Sequence, residues 1–151
     1  MNRARSAKRG SASVVVAFGV VAAGVARTRG LGAALEALLD ELEIDRAVMV
    51  GPSFGGGRIL DAVGLVEARF AGVVLVAPAG TLDPEAAPIE VPALLLWAED
   101  DDVVPVERAV PLGERFVDSS VQFIRTGGHS VWRENPDWFH ERLDDWLAEL
   151  P

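Results

Sequence analysis

Three kinds of side chain in this sequence could cooperate in acyl transfer: a serine, a histidine and an acid. Ser53 stands in Gly51-Pro52-Ser53-Phe54-Gly55, directly after the apolar run Ala47-Val48-Met49-Val50. His129 follows Gly127-Gly128, just past the apolar stretch that begins at Val121. Glu99, Asp100, Asp101 and Asp102 follow a third apolar run that ends in Trp97-Ala98. A serine hydroxyl is a weak nucleophile until a base takes its proton. An imidazole is that base when a carboxylate holds its tautomer and stabilises its charged form. The order along the chain, serine then acid then histidine, is one in which such a set occurs.

The G-x-S-x-G spacing has a mechanical reason. A serine on a sharp strand-to-helix turn needs small neighbours two residues to either side so that the chain can pass. The turn lifts the hydroxyl clear and aims the next backbone N–H, that of Phe54, at an oxygen bound beside it. With 15 glycines in 151 residues the pattern alone is weakly specific, and its position between a strand and a helix is what counts. A phosphate-binding loop would need a lysine that this stretch lacks, and no G-x-G-x-x-G is present. His140, between Phe139 and Glu141 in a helical stretch, reads as a surface side chain. The four consecutive acids fit a solvated turn as well as an orienting carboxylate, and these residues alone leave open which of them would serve.

The elements that must position these groups alternate. Leu31, Ala34, Leu35, Leu38, Leu39 and Leu42 recur at helical spacing. Residues 47–50 predict a short buried strand, and helical spacing resumes from Arg58 to Phe70. Strands are expected within 71–80, 91–100 and 121–126, a helix interrupted by Pro111 over 106–116, and a closing helix over 136–150 with Pro136 in its first turn. Near-continuous apolar strands alternating with helices predict a parallel sheet covered on both faces. In such a sheet reactive groups collect where strands end, which is where Ser53, the acids and His129 all fall.

Length suits one domain with a real core, and the absence of cysteine excludes disulfides and thiolate metal sites. Net charge is −9, unevenly spread: the first thirty residues hold six Arg or Lys and no acid, while the remainder holds all 23 acids against eight bases. An acidic body disfavours nucleic acid as a partner. The basic start, the apolar run from Ala12 to Ala26 and its small residues fit a secretory signal, though Val14-Val15-Val16 and Val20-Val21 fit a buried strand equally. The run is short for a membrane span, which needs about 20 apolar residues. We therefore divide the chain into a leader, residues 1–30, and a core, residues 31–151. A cytoplasmic location is expected, with export or tethering through residues 1–26 as the alternative.

At this point the sequence resembles the α/β-hydrolase fold family. That family has elbows of the form GHS-x-GG, an acid in W-G-E-D-D-x-x-V-P and a base in G-G-H-x-x-x-x-E-x-P-x-x-F. This chain reads GPSFGG, WAEDDDVVP and GGHSVWRENPDWF, in the same order. The resemblance covers residues 31–151 and implies a three-layer parallel sheet, the C-terminal half of an α/β-hydrolase fold. It implies Ser53 as nucleophile, His129 as base, the Phe54 amide as an oxyanion donor, and Asp101, four residues before Pro105, as the acid. The reaction implied is hydrolysis of a small-molecule ester or related acyl substrate, with no metal or organic cofactor.

Two departures carry expectations of their own. The family's central strand and His-Gly loop, source of a second oxyanion amide, have no recognisable counterpart, and the usual cap is replaced by the short stretch between Gly80 and Glu90. Without a neighbour, the strand at 47–50 would be an apolar edge open to self- or partner association. The run SVVVAFGVVAAG could fill that place, with Phe18-Gly19 supplying the amide. The alternative function is a non-catalytic, truncated hydrolase-like protein stabilised by a partner.

Overall fold

Five parallel strands form one sheet in the computed structural model, which describes residues 30–80, 83 and 85–150 in full and residues 13–16 as backbone. The strands are β1 (Ser13–Val16), β2 (Ala47–Pro52), β3 (Phe70–Val76), β4 (Ala93–Ala98) and β5 (Ser119–Ile124), and their order in the sheet is their order in the chain. The helices are α1 (Leu31–Glu41), α2 (Ser53–Val63), α3 (Ala109–Gly113), α4 (Val131–Glu134) and α5 (Pro136–Glu149). Short 3-10 turns occupy Glu67–Arg69, Val106–Arg108 and Gly128–Ser130.

Alternate side chains of the inner strands go to opposite faces, and every residue of β3 and β4 is buried. On one face Met49, Val73, Leu75 and Leu95 pack against Leu39 of α1 and Ile59, Leu60 and Val63 of α2. On the other, Val48, Val74, Val76 and Leu94 pack against Phe139, Leu143 and Trp146 of α5. Three layers result. At Gly72 the approach of α5 is so close that a Cβ would lie 2.7 Å from Trp146 Cη2. One irregularity interrupts the β2–β3 register between Ala47 and Val48, where β3 carries an extra residue.

Several boundaries differ from the sequence expectation. The helix read as starting at Arg58 starts at Ser53 and stops at Val63, because Gly55, Gly56 and Gly57 are helical and buried rather than part of a loose turn. Phe70, read as that helix's end, instead opens β3. On α1 the buried stripe is Gly32 and Leu39 flanked by Leu31 and Leu35, while Leu38 and Leu42 face solvent. Residues spaced by four share a face, and Leu38 and Leu42 make a second such row turned away from the sheet. Pro111 interrupts nothing: it lies in the first turn of α3, where no intrahelical donor is needed.

The expected apolar edge at β2 does not exist. Residues 13–16 run parallel to it, Ser13 opposite Ala47 through Val16 opposite Val50, so β2 is an inner strand. A β-branched run suits that place physically. The rest of the 1–26 leader reading, and the expected amide at Phe18-Gly19, fall outside the described residues. Among the described residues no helix is long and apolar enough to cross a membrane.

Candidate active site

β2 ends at Pro52, and α2 begins at the next residue, so Ser53 forms the corner between them. Its φ is +46°, in the left-handed region that costs an L-residue about 1 kcal/mol. The surroundings hold this strain. A Cβ on Gly51 would lie 2.7 Å from backbone atoms of Gly55 and Gly56, and one on Gly56 2.7 Å from the Gly51 carbonyl oxygen. Ala79 N–H donates to the Ser53 carbonyl at 2.8 Å. Phe54 is the second residue of α2, where the helix offers its amide no internal acceptor. Phe54 is 57% exposed, and its ring lies under the Arg58 guanidinium, whose carbon is 5.1 Å from the ring centroid.

The acid turn follows β4. Asp101 has a side chain with no solvent exposure. Its Oδ1 accepts the backbone N–H groups of Val103 and Val104, each at 2.9 Å. The turn is anchored from beneath by Trp97, fully buried in β4, whose indole N–H donates to the Val104 carbonyl at 2.9 Å. Burial pushes the Asp101 pKa upward, but the hydrogen bonds from His129, Val104 and Val103 and the charge of His129 outweigh it, and the carboxyl lies below its ordinary value.

His129 follows β5 on a short 3-10 turn. Its Nδ1 is 3.0 Å from Asp101 Oδ2, and its Nε2 is 2.7 Å from Ser53 Oγ. An ionised Asp101 can only accept, so Nδ1 carries the proton and donates. Nε2 then holds the lone pair and accepts from the Ser53 hydroxyl. Trp132 and the imidazole meet in a T-shaped arrangement, with ring centroids 6.2 Å apart. Groups from three strand ends, 76 residues apart at the extremes, thus form one continuous hydrogen-bonded chain. His140 is exposed on α5, its ring against that of Phe139.

Of the four acids, Asp101 reaches His129 and Asp100 does not: Asp100 Oδ1 accepts the Gly128 N–H at 2.8 Å. Sequence reading named Asp100 only as one of four candidate acids, without its hold on Gly128, and missed Gly57 and Asn135. A Cβ on Gly57 would collide with the Ala79 carbonyl oxygen, a contact between α2 and the stretch after β3 that no local pattern announces. Among the described residues no group of three or more His, Asp or Glu is arranged to hold a metal ion. Two shallow depressions, one bordered by Arg46, Glu67 and Pro92 and the other by Asp40, Glu43 and Arg69, lie at the opposite end of the sheet and contain no nucleophile.

No family model matches the chain. It is similar to the metagenomic α/β-hydrolase enzyme MGS-MChE2 from lagoon sediment, with a TM-score of 0.76 at 16% identity over 93% of this chain and 92% of that one. It is 30% identical over 125 residues to human ABHD14A, covering 81% of this chain and 46% of that protein. The chain has the α/β-hydrolase fold. A second curated relative, rat ABHD14B, is 28% identical over 79% of this chain and 57% of its own length, and its name marks it as a candidate protein-lysine deacylase. The chain spans about half the length of these relatives. In α/β-hydrolase terms, β2 and α2 form the elbow, and the loops after β4 and β5 bring Asp101 and His129 to it.

Proposed function

We propose that this α/β-hydrolase-fold chain is a serine hydrolase acting on a small-molecule ester or related acyl substrate. The single observation that carries the reading is the unbroken chain from Ser53 Oγ through His129 to the buried Asp101.

The mechanism follows from the donors and acceptors. Ser53 Oγ attacks the substrate carbonyl carbon while His129 Nε2 takes its proton. Negative charge then builds on the former carbonyl oxygen beside the Phe54 amide, at the N-terminus of α2. Asp101 balances the imidazolium without itself being protonated. Collapse of the tetrahedral intermediate breaks the bond to the leaving alkoxide, which receives the proton from His129 and departs as an alcohol. Water attacks the acyl-serine, His129 takes its proton, and the second collapse frees the carboxylic acid and returns the proton to Ser53.

Intact-mass measurement after fluorophosphonate treatment, beside Ser53→Ala, tests this. One adduct on the parent chain and none on the variant is the expected result. A folded parent chain that stays unlabelled overturns the hydrolase reading and leaves the non-catalytic one.

A further inference from the structure

The loop carrying His129 is intrinsically loose, and the structure shows what holds it. Gly127 and Gly128 have φ of +147° and +53°, both in the region that glycine visits freely. Two glycines in succession allow the chain many paths, so a fixed imidazole needs restraints from outside the loop. One restraint is Asn135, which precedes α5. Its Nδ2 donates to the Thr126 carbonyl at 3.0 Å and lies against Gly127, where a Cβ would clash with it. The other is Asp100, whose Oδ1 takes the Gly128 N–H at 2.8 Å.

We propose that Asp100 is a positioning residue for His129, acting through the Gly128 backbone. Asp100 and Asp101 are consecutive, and they hold consecutive residues of the facing loop: one takes the Gly128 main chain, the other the His129 ring. The imidazole must reach Asp101 at 3.0 Å and Ser53 at 2.7 Å simultaneously, so a displacement of the main chain by a fraction of an ångström breaks one of the two bonds. The proposal rests on the serine-hydrolase reading and adds a residue to it. Because the work is done by an accepting oxygen, an amide in place of the carboxylate should do most of it.

The experiment compares the parent chain, Asp100→Ala, Asp100→Asn and Ser53→Ala. The readouts are the rate of fluorophosphonate labelling, kcat and KM for p-nitrophenyl acetate, and exchange of the Gly128 amide with deuterium. Asp100→Ala should lower the labelling rate and kcat by about tenfold, leave KM unchanged and expose the Gly128 amide to exchange. Asp100→Asn should restore both rate and protection. Should Asp100→Ala unfold by circular dichroism, Asp100→Ser, whose hydroxyl is too short to reach Gly128, replaces it. Parent-like labelling of Asp100→Ala overturns the proposal alone. So does an Asp100→Asn variant as slow as Asp100→Ala, since charge rather than position would then be at work. An unlabelled parent chain overturns the hydrolase reading and this proposal with it.

Discussion

Trp97 and Asp101 are coupled through one residue: the Trp97 indole N–H holds the Val104 carbonyl at 2.9 Å, and the Val104 N–H is held by Asp101 at 2.9 Å. A side chain in the middle of the core thereby fixes the turn that presents the acid. Trp97→Phe keeps most of the apolar contact and removes the donor, leaving a buried carbonyl without its partner. It should cost about 1–3 kcal/mol of stability, read from urea unfolding, and slow fluorophosphonate labelling of Ser53. Unchanged labelling would mean that the turn holds its shape without the indole.

Asp101 makes acid stability directional. Its folded pKa lies below the ordinary value, so the unfolded chain binds the proton more readily. The stabilisation is complete above the ordinary aspartate pKa of about 4 and is lost as pH falls through the lower folded value. Thermal unfolding followed from pH 6 downward should show a steeper loss in the parent chain than in Asp101→Asn. At neutral pH the same substitution should lower esterase turnover on the order of 10⁴-fold, because an amide can support the wrong imidazole tautomer.

Gly57 tolerates no side chain. The Ala79 carbonyl oxygen occupies the space a Cβ would need, and backbone on both sides leaves little room to yield. Gly57→Ala should destabilise the fold by about 3 kcal/mol and displace Ala79, whose N–H holds the Ser53 carbonyl. Chemical denaturation measures the first effect and labelling of Ser53 the second. Gly64→Ala, with open space around it, is the matched control and should be nearly neutral.

Strain at Ser53 can be separated from its chemistry. Ser53→Ala and Ser53→Gly both lack the hydroxyl, but only glycine relaxes at φ +46°. The glycine variant should be the more stable of the two by about 1 kcal/mol in urea unfolding, with neither labelled. Equal stability would show that the elbow stores no strain at this residue.

Hydrophobic pattern made the inner strands and the closing helix legible, because continuous apolar runs and a four-residue repeat depend only on neighbours along the chain. The elbow was legible for the same reason: Gly51, Ser53 and Gly55 lie within five residues. Helix limits near Gly55–Gly57 were not, since glycines that signal a turn locally become helical when Gly57 must pass the Ala79 carbonyl. Leu38 and Leu42 misled because helical spacing shows that residues share a row without showing which row meets the sheet.

By itself, the sequence determined the element types, the alternation that makes a parallel sheet, and a serine, an acid cluster and a histidine each placed at a strand end. Tertiary structure decided the pairing of β1 with β2, and the division of adjacent carboxylates between the His129 ring and the Gly128 main chain. The physical reason is direction. Consecutive side chains in a turn point different ways, and which of them meets a partner 28 residues on depends on how two separate loops are set against each other by the strands beneath them.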